Sequence, residues 1–217
     1  MTKTKQTIYK LLARLPLMVT LTSFFFLPDE VPVHFNSSNQ VDRLGSKYEL
    51  LILPFVIMFL GIIFILIANH LDKKEKNGSN NYNILITVGI CILAIFNILT
   101  YVTIYLAFAG LQESATAPID VLSLVTLLFG FMMIVIGNII PKAKMNSMLG
   151  LRTKWSMSSE DAWKKSQRFG GYAAIISGVL MIVESLIFSE MTTIIVMLCI
   201  IVVMAIVDTV YSYYASK

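Results

Sequence analysis

Three polar side chains interrupt long apolar runs of this sequence: Asn97, Glu184 and Asp208. They are the side chains in these runs most suited to carry out chemistry. An ionisable group in apolar surroundings is costly, so Glu184 and Asp208 are candidates for a proton or ion path unless they reach the interface or pair with a neighbouring helix. We expect them near opposite faces of the apolar layer, where they cannot form one catalytic pair. For Asn97, a hydrogen bond between helices is favoured over a substrate contact.

His34 and Asp42 are a second candidate pair, because a histidine beside a carboxylate can bind a metal ion or sense pH. A histidine without a second histidine or a cysteine nearby is a weak metal ligand, so a hydrogen-bonded structural role is favoured. The sequence also lacks the H-E-x-x-H, G-x-S-x-G, C-x-x-C and Walker patterns. We therefore predict a protein that is not an enzyme and holds neither a metal nor another cofactor.

The composition indicates an integral membrane protein. Hydrophobic residues make up 57% and charged residues 14% of the 217 residues, whereas soluble domains carry about 25% charged residues. A helix needs roughly 20 apolar residues to cross the hydrocarbon layer, so this length supplies about six crossings. The expected fold is an all-α membrane protein with six transmembrane helices. Membrane orientation explains the net charge of +4, and we predict no direct contact with nucleic acid.

Six apolar runs supply the expected crossings, and the basic residues between them predict their orientation. Of the 17 Lys and Arg residues, fifteen flank one set of ends, and only Arg43 and Lys47 flank the other. Because cytoplasmic loops carry the basic residues, both termini are predicted to be cytoplasmic. Gly130 and Gly137 are expected to allow close helix packing. The runs cover residues 15–27, 50–71, 84–110, 119–140, 172–188 and 191–211.

A long polar segment, residues 141–171, separates the fourth and fifth runs and is called here the signature loop. Its seven basic residues oppose only two acidic ones. The spacing of Ser158 and Asp161 predicts the N-terminus of a short amphipathic helix within this cytosolic loop. Gly150 predicts a turn, and the Gly170-Gly171 pair predicts a hinge before the fifth crossing.

The aromatic and basic residues of the signature loop allow two interpretations. Trp155 and Trp163 fit an anchor at the lipid headgroups, with Lys164, Lys165 and Arg168 facing anionic lipid. The same residue types also fit a binding site. Physical chemistry alone favours the anchor.

The signature loop resembles the characteristic segment of the SdpI family, membrane proteins that give immunity to a secreted killing peptide. Lys154 stands where the family often has proline, and Gln167 where it often has histidine. Because glutamine cannot replace histidine as a metal ligand or proton carrier, Gln167 argues against catalysis in the loop. The residues that carry the resemblance are Asn146, Gly150, Arg152, Thr153, Trp155, Ser158, Ser159, Glu160, Trp163, Arg168, Gly170 and Gly171.

Residues 28–49 predict a small extracellular cap between the first two crossings. Residues 31–35 alternate like a strand, and Asn36 begins a run of turn-forming residues. This segment resembles a domain of unknown function often found at the start of SdpI-type proteins. Asn39 stands where that domain usually has glycine, and asparagine visits left-handed backbone more readily than most residues. The resemblance rests on Leu27, Pro28, Pro32, His34, Phe35, Asn36, Val41, Asp42, Gly45, Ser46 and Lys47.

The resemblance implies two regions: a two-helix region with the cap at residues 1–83 and an SdpI-like four-helix region at residues 84–217. It also implies a function: a multi-pass protein of the bacterial inner membrane that protects its producer from a secreted antimicrobial peptide. In this family the immunity protein can also draw a cytosolic transcriptional repressor to the membrane. The implied partners are therefore a toxin peptide, a repressor protein and membrane lipid.

Two other classes of function compete with immunity. A small secondary transporter or exporter would use Asn97, Glu184 and Asp208 along a path, although the sequence shows no convincing internal repeat of the kind many transporters have. A membrane-embedded enzyme is the third class.

Overall fold

The computed structural model of the chain describes residues 3–75 and 78–217. Within them lie six long helices and one antiparallel β-hairpin, which connects the first two helices. Lys76, one of the fifteen basic residues assigned above to the cytoplasm, lies outside the described residues. The elements are α1 (Lys3–Ser23), β1 (Glu30–Phe35), β2 (Val41–Ser46), α2 (Ile52–Lys74), α3 (Gly78–Phe108), α4 (Val121–Ile139), α5 (Glu160–Ile187) and α6 (Glu190–Ala215).

Five of the described helices, α2 to α6, are long and apolar enough to cross a membrane. The chain is therefore a mostly helical, multi-pass membrane protein. The helix α1 is not among the five. The apolar run begins at Leu15 and α1 ends at Ser23, which spans only about 14 Å of a hydrocarbon layer about 30 Å thick. The sixth crossing thus remains a prediction.

Glycines bring α4 and α5 into direct backbone contact. A Cβ atom added to Gly130 would lie 2.7 Å from the carbonyl oxygen of Gly178, and one added to Gly137 would lie 2.6 Å from that of Gly171. The contacts are reciprocal, because a Cβ on Gly171 or Gly178 would meet the opposite carbonyl at 2.7 Å or 2.5 Å. The predicted close packing through Gly130 and Gly137 is confirmed, and its partners lie at the same seven-residue spacing on α5.

Hydrogen bonds between helices join α1 to α2 and α3. The hydroxyl of Tyr9 donates to the carbonyl oxygen of Gly61 at 2.5 Å. The side-chain amide of Asn97 donates to the carbonyl oxygens of Leu12 and Leu93 at 2.8 and 2.7 Å. The bond between helices expected of Asn97 is therefore present, and it joins α3 to α1.

The hairpin packs against the connection between α3 and α4. Asn39 occupies the turn with a positive φ of 54°, and its side-chain amide donates to the carbonyl oxygens of Ala117 and Ile119 at 3.2 and 2.9 Å. The backbone of Val41 donates to Ala115 at 2.9 Å. The predicted hairpin is thus present, and the turn keeps the left-handed backbone expected of Asn39.

Asp120 joins the start of α4 to the start of α6. Its carboxylate accepts bonds from the backbone N–H groups of Leu122 and Ser123, from the Ser123 hydroxyl and from the backbone N–H of Glu190, at distances of 2.7 to 3.1 Å. Burial by itself raises the pKa of this carboxyl. The hydrogen bonds outweigh burial and hold the pKa of Asp120 below its ordinary value.

The predicted separate helix in the signature loop is wrong. The helix α5 runs without interruption from Glu160 to Ile187, so the amphipathic segment is its first part. The N-cap is Ser159, whose hydroxyl accepts from Ala162 N at 3.0 Å, whereas the Ser158 hydroxyl donates to the Trp155 carbonyl oxygen at 2.7 Å. The Gly170-Gly171 pair lies inside the helix and forms no hinge. Contact with α4 favours a small residue at Gly171, whereas Gly170 faces Asp208 of α6.

Replacing either of two adjacent glycines in α5 by alanine tests the helix contact. A Cβ on Gly171 would lie 2.5 Å from the Pro141 ring, whereas one on Gly170 would lie 3.6 Å from Asp208, an ordinary contact distance. Gly171→Ala is expected to lower the free energy of unfolding by about 1–3 kcal/mol through overpacking. Gly170→Ala, the matched control, is expected to be neutral or stabilising because alanine favours helix. Thermal unfolding in detergent measures both, and equal effects would contradict the packing.

Asp120→Ala tests the connection between α4 and α6. The substitution is expected to cost about 1 kcal/mol at neutral pH, as loss of a helix cap does. Because the pKa of Asp120 is lower in the folded than in the unfolded chain, its contribution is complete above about pH 4 and is lost as the pH falls through the folded-state pKa. The stability gap between wild type and variant should therefore narrow in acid, measured by unfolding between pH 3 and 7. A gap that widens in acid would contradict this assignment.

Candidate functional site

The signature loop forms a folded cover over one end of the helix bundle, opposite the hairpin. Two buried amide side chains fix its path by pairing with loop backbone in both directions. Asn81, at the start of α3, donates to the Lys144 carbonyl oxygen at 3.2 Å and accepts from Lys144 N at 3.1 Å. Gln167, on α5, donates to the Leu151 carbonyl oxygen and accepts from Leu151 N, both at 2.9 Å. Both amides are fully buried.

Asn146 shapes the first part of the loop. Its side-chain oxygen accepts from the backbone N–H groups of Met148 and Leu149 at 2.7 and 2.5 Å, and its amide donates to the carbonyl oxygens of Lys144 and Leu149 at 2.8 and 3.2 Å. This side chain is buried. Because a buried amide is stable only when it is paired, these bonds favour one backbone path between Lys144 and Leu149.

Gly150 allows the chain to pass directly over Gln167. Its φ of +92° lies in the region that favours glycine, and an added Cβ would overlap the Gln167 side-chain oxygen. The turn predicted at Gly150 is therefore present. Its close approach to Gln167 adds a reason for glycine at this position.

Trp163 is part of the core and does not lie at the lipid headgroups. Only 2% of its surface is exposed, and its indole N–H donates to the Ala143 carbonyl oxygen at 2.8 Å. It belongs to a cluster with Leu71 of α2, Ile84 of α3 and Leu149 of the loop. The anchor interpretation is therefore wrong for Trp163.

The second part of the loop contacts the end of α6. The hydroxyls of Thr153 and Ser212 lie 2.8 Å apart, and the Trp155 ring meets the Tyr213 ring edge-on at a centroid distance of 5.4 Å. Ser156, which is fully buried, supports this turn: its hydroxyl accepts from Thr153 N at 2.9 Å and donates to the Leu151 carbonyl oxygen at 2.8 Å.

Several charged residues of the loop remain on its surface. Arg152 and Glu160 are exposed and form no hydrogen bond or ion pair within residues 3–75 and 78–217. Lys154 lies 5.0 Å from the Trp155 ring centroid. Arg168 is exposed and donates to the Tyr172 hydroxyl at 3.4 Å. These side chains are available to a partner.

Sequence reasoning missed four residues that hold the loop: Asn81, Ser156, Glu75, and Gln167 in this structural role. The Glu75 carboxylate accepts from the Ser147 backbone N–H at 2.9 Å and from its hydroxyl at 2.5 Å. Asn81 lies in a polar run that predicts a turn, and Glu75 in a charged run that predicts solvent exposure. An amide that is buried beside an irregular loop is a signal for this role. Burial at a helix end cannot be read from the sequence, so the signal was not available.

The predicted cap residues have different surroundings in the structure. His34 Nδ1 lies 2.6 Å from Asp42 Oδ1 on the exposed face, so the expected pair is present. The Asn36 side-chain oxygen accepts from the backbone N–H groups of Ser38 and Gln40 and stabilises the turn. Gly45 lies against Glu49, whose carboxylate an added Cβ would overlap.

Pro32 and Phe35 contribute to an apolar cavity of about 330 Å³ between the hairpin and the membrane helices. Arg43 and Glu49 also line it and form an ion pair at 2.9 Å. Otherwise its walls are nearly all apolar, and the remaining lining residues are Val33, Leu50, Ile52, Leu53, Leu99, Val102, Thr103, Leu106, Val121 and Val125.

Glu184 and Asp208 are buried at 5% and 7% exposure. Both carboxylate oxygens of Glu184 and one of Asp208 have no hydrogen-bond partner among the described residues. Asp208 lies opposite Gly170, and Glu184 is 14 residues further along α5, a distance of about 21 Å. The two acids therefore do not form one pair. No group of three His, Cys, Asp or Glu side chains suited to a metal ion occurs among the described residues.

The fold and site define a class: a multi-pass membrane protein with a hairpin cap at one end and a folded, amide-stabilised loop at the other. The SdpI/YfhL protein family model matches residues 142–212, and the model of a domain of unknown function, DUF1648, matches residues 11–58. The chain is 22% identical over 207 residues to Immunity protein SdpI of Bacillus subtilis (strain 168), covering 94% of this chain and 91% of that protein. No solved structure matches. The resemblance to the SdpI family is confirmed.

Gln167→Leu tests the role of the amide in holding the loop. The substitution keeps the side-chain size but leaves the Leu151 N–H without its partner, which costs about 1–3 kcal/mol. Opening of the loop should then increase by about 5- to 150-fold, and trypsin should cleave faster after Arg152 and Lys154 in the purified full chain. The control Lys73→Gln changes an exposed side chain outside the loop and should leave the cleavage rate unchanged. Equal cleavage of wild type and Gln167→Leu would contradict this role.

Proposed function

We propose that this chain is a bacterial immunity protein that protects its producer from a secreted antimicrobial peptide. The observation that carries the proposal is the similarity to Immunity protein SdpI over nearly the whole length of both chains. The two matched regions fall within the two proposed functional regions, residues 1–83 and 84–217, although α3 begins at Gly78 and crosses that boundary. Enzymatic activity is not part of this proposal.

The proposed location is the bacterial cytoplasmic membrane, with the hairpin outside and the signature loop inside. The excess of basic residues at the loop end supports this orientation. With α1 as a sixth crossing, both termini are then cytoplasmic. The hairpin meets peptides that arrive from outside, and the loop faces cytosolic proteins.

The cavity beneath the hairpin is the proposed contact for the toxin peptide. An apolar side chain of the peptide fits its walls, and the Arg43–Glu49 ion pair offers both charges at its edge. Asn39 joins the hairpin to the start of α4, so a peptide that displaces the hairpin would also act on that helix.

The exposed part of the signature loop is the proposed contact for a cytosolic transcriptional repressor. Arg152 is free of ion pairs among the described residues, and Trp155 is only partly buried. A toxin signal requires two arrangements of the loop that the peptide binds unequally. We propose the Thr153 contact with Ser212 as the bond that changes between them, since it joins the loop to the end of α6.

Transport of an ion or small molecule is the second candidate function. The unpaired carboxylate oxygens of Glu184 and Asp208 favour it, because buried acids without partners are typical of ion paths. Asn97 is not part of this proposed path, since its side-chain amide joins α3 to α1. Proton-driven flux that is lost in Glu184→Gln would favour transport over immunity.

A survival assay tests the proposed peptide contact. Val102→Trp fills the cavity beneath the hairpin, whereas Tyr105→Trp places the same side chain on the exposed side of α3. In a sensitive strain challenged with a secreted antimicrobial peptide against which the wild-type chain protects, Val102→Trp should lower the tolerated concentration about tenfold or more. Tyr105→Trp, at equal membrane abundance, should protect like wild type. Full protection by both variants would contradict the peptide contact.

The same strain tests the signature loop. Arg152→Ala and Trp155→Ala should weaken protection or abolish toxin-dependent recruitment of the repressor, because both change the exposed surface. Lys73→Ala removes a basic residue at the same end of the bundle and serves as control. Undiminished protection and recruitment in both loop variants would contradict a role for this surface.

A further inference from the structure

A second cavity, of about 360 Å³, lies where the end of α4 meets the first turns of α5. The buried glycines Gly137 and Gly171 form its base, with Pro141 packed against Gly171. Lys164 and Arg168 are exposed and lie at its edge. The close approach of two helices thus leaves a hollow that two cations border.

Both cations at this cavity lack an acidic partner. Lys164 forms no ion pair or hydrogen bond among the described residues, and Arg168 bonds only to the Tyr172 hydroxyl. The neighbouring Lys165, by contrast, pairs with Asp161 at 2.7 Å and does not line the cavity. Because no acidic residue lines this hollow either, it attracts an anion.

The cavity lies at the level where α5 enters the hydrocarbon layer. Charged residues of α5 occur in its first nine positions, 160–168, and the next fifteen, 169–183, carry none. Ile175 extends the apolar wall beyond the two cations. A free anion would need only the basic edge, whereas a phospholipid uses both the basic edge and the apolar wall.

We propose that this cavity binds one anionic phospholipid. Its phosphate lies between Lys164 and Arg168, with the Tyr172 hydroxyl as a further donor, and one acyl chain follows α5 past Ile175. Basic pockets between membrane helices bind lipid headgroups in this way. The lipid then joins α4 and α5 at the base of the signature loop.

Lipid titration of the purified full chain tests this site. The probe is phosphatidylglycerol, and native mass spectrometry measures how tightly one molecule is retained. Each cation near a lipid surface contributes about fivefold in affinity, so Lys164→Gln combined with Arg168→Gln should weaken retention about 30-fold. Lys165→Gln removes the adjacent positive charge outside the cavity and should change retention less than about twofold. Equal weakening by both variants would show diffuse charge attraction and overturn the site.

A cavity-filling variant separates the site from general charge effects and from loss of folding. Asn138→Trp occupies the hollow from the exposed side of α4 while both cations remain, and it should weaken retention about as much as the double variant at unchanged thermal stability. Phosphatidylcholine should bind at least tenfold more weakly than phosphatidylglycerol. Equal binding of the two lipids, displacement by millimolar inorganic phosphate, or full retention in Asn138→Trp would overturn the proposal.

Discussion

The structure depends on the pairing of loop backbone with buried amide side chains at the membrane boundary. A backbone N–H or carbonyl group removed from water must find a partner inside the protein. Helices satisfy this demand by themselves, but the irregular part of the signature loop, residues 143–159, does not. Asn81, Asn146 and Gln167 each supply a donor and an acceptor to that backbone, and Trp163 adds a donor. The loop is therefore a folded part of the bundle.

The same kind of pairing occurs at the opposite end, where Asn39 bonds to the connection before α4. A continuous series of contacts then joins the two ends: the hairpin to α4 through Asn39, α4 to α5 through paired glycines, and α5 to the loop through Gln167. Such a series carries a signal only if one of its contacts has two arrangements. The close backbone contact between Gly137 and Gly171 allows little gradual displacement. Close-packed interfaces of this kind switch between discrete arrangements instead.

Sequence patterns predicted the features that depend on neighbouring residues or on a fixed period. Apolar runs predicted the five membrane helices, and the spacing of Gly130 and Gly137 predicted the packed face of α4. Turn-forming residues predicted the hairpin. Sequence patterns failed where contacts between residues far apart in the sequence determine the structure. Trp163 is a core residue because α2 and α3 lie beside it. Gly171 lies inside α5 because contact with α4 requires a small residue there. The roles of Asn81 and Gln167 depend on backbone more than ten residues away, which no period reveals.

The length of α1 shows a different limit. An apolar run predicts a crossing only when enough of it is helical, and α1 ends at Ser23, nine residues into the run that begins at Leu15. The hairpin begins soon afterwards, at Glu30, because Pro28 and Pro32 favour extended backbone in the residues before them.

We propose that the hairpin and the signature loop lie on opposite sides of the membrane, with the loop inside the cell. Single cysteines placed by Ser37→Cys and by Lys154→Cys, in a chain whose Cys91 and Cys199 are replaced by serine, test this with a membrane-impermeant maleimide. The proposed orientation predicts labelling of the Ser37 position in intact cells and of the Lys154 position only after permeabilisation. Labelling of the Lys154 position in intact cells would contradict it.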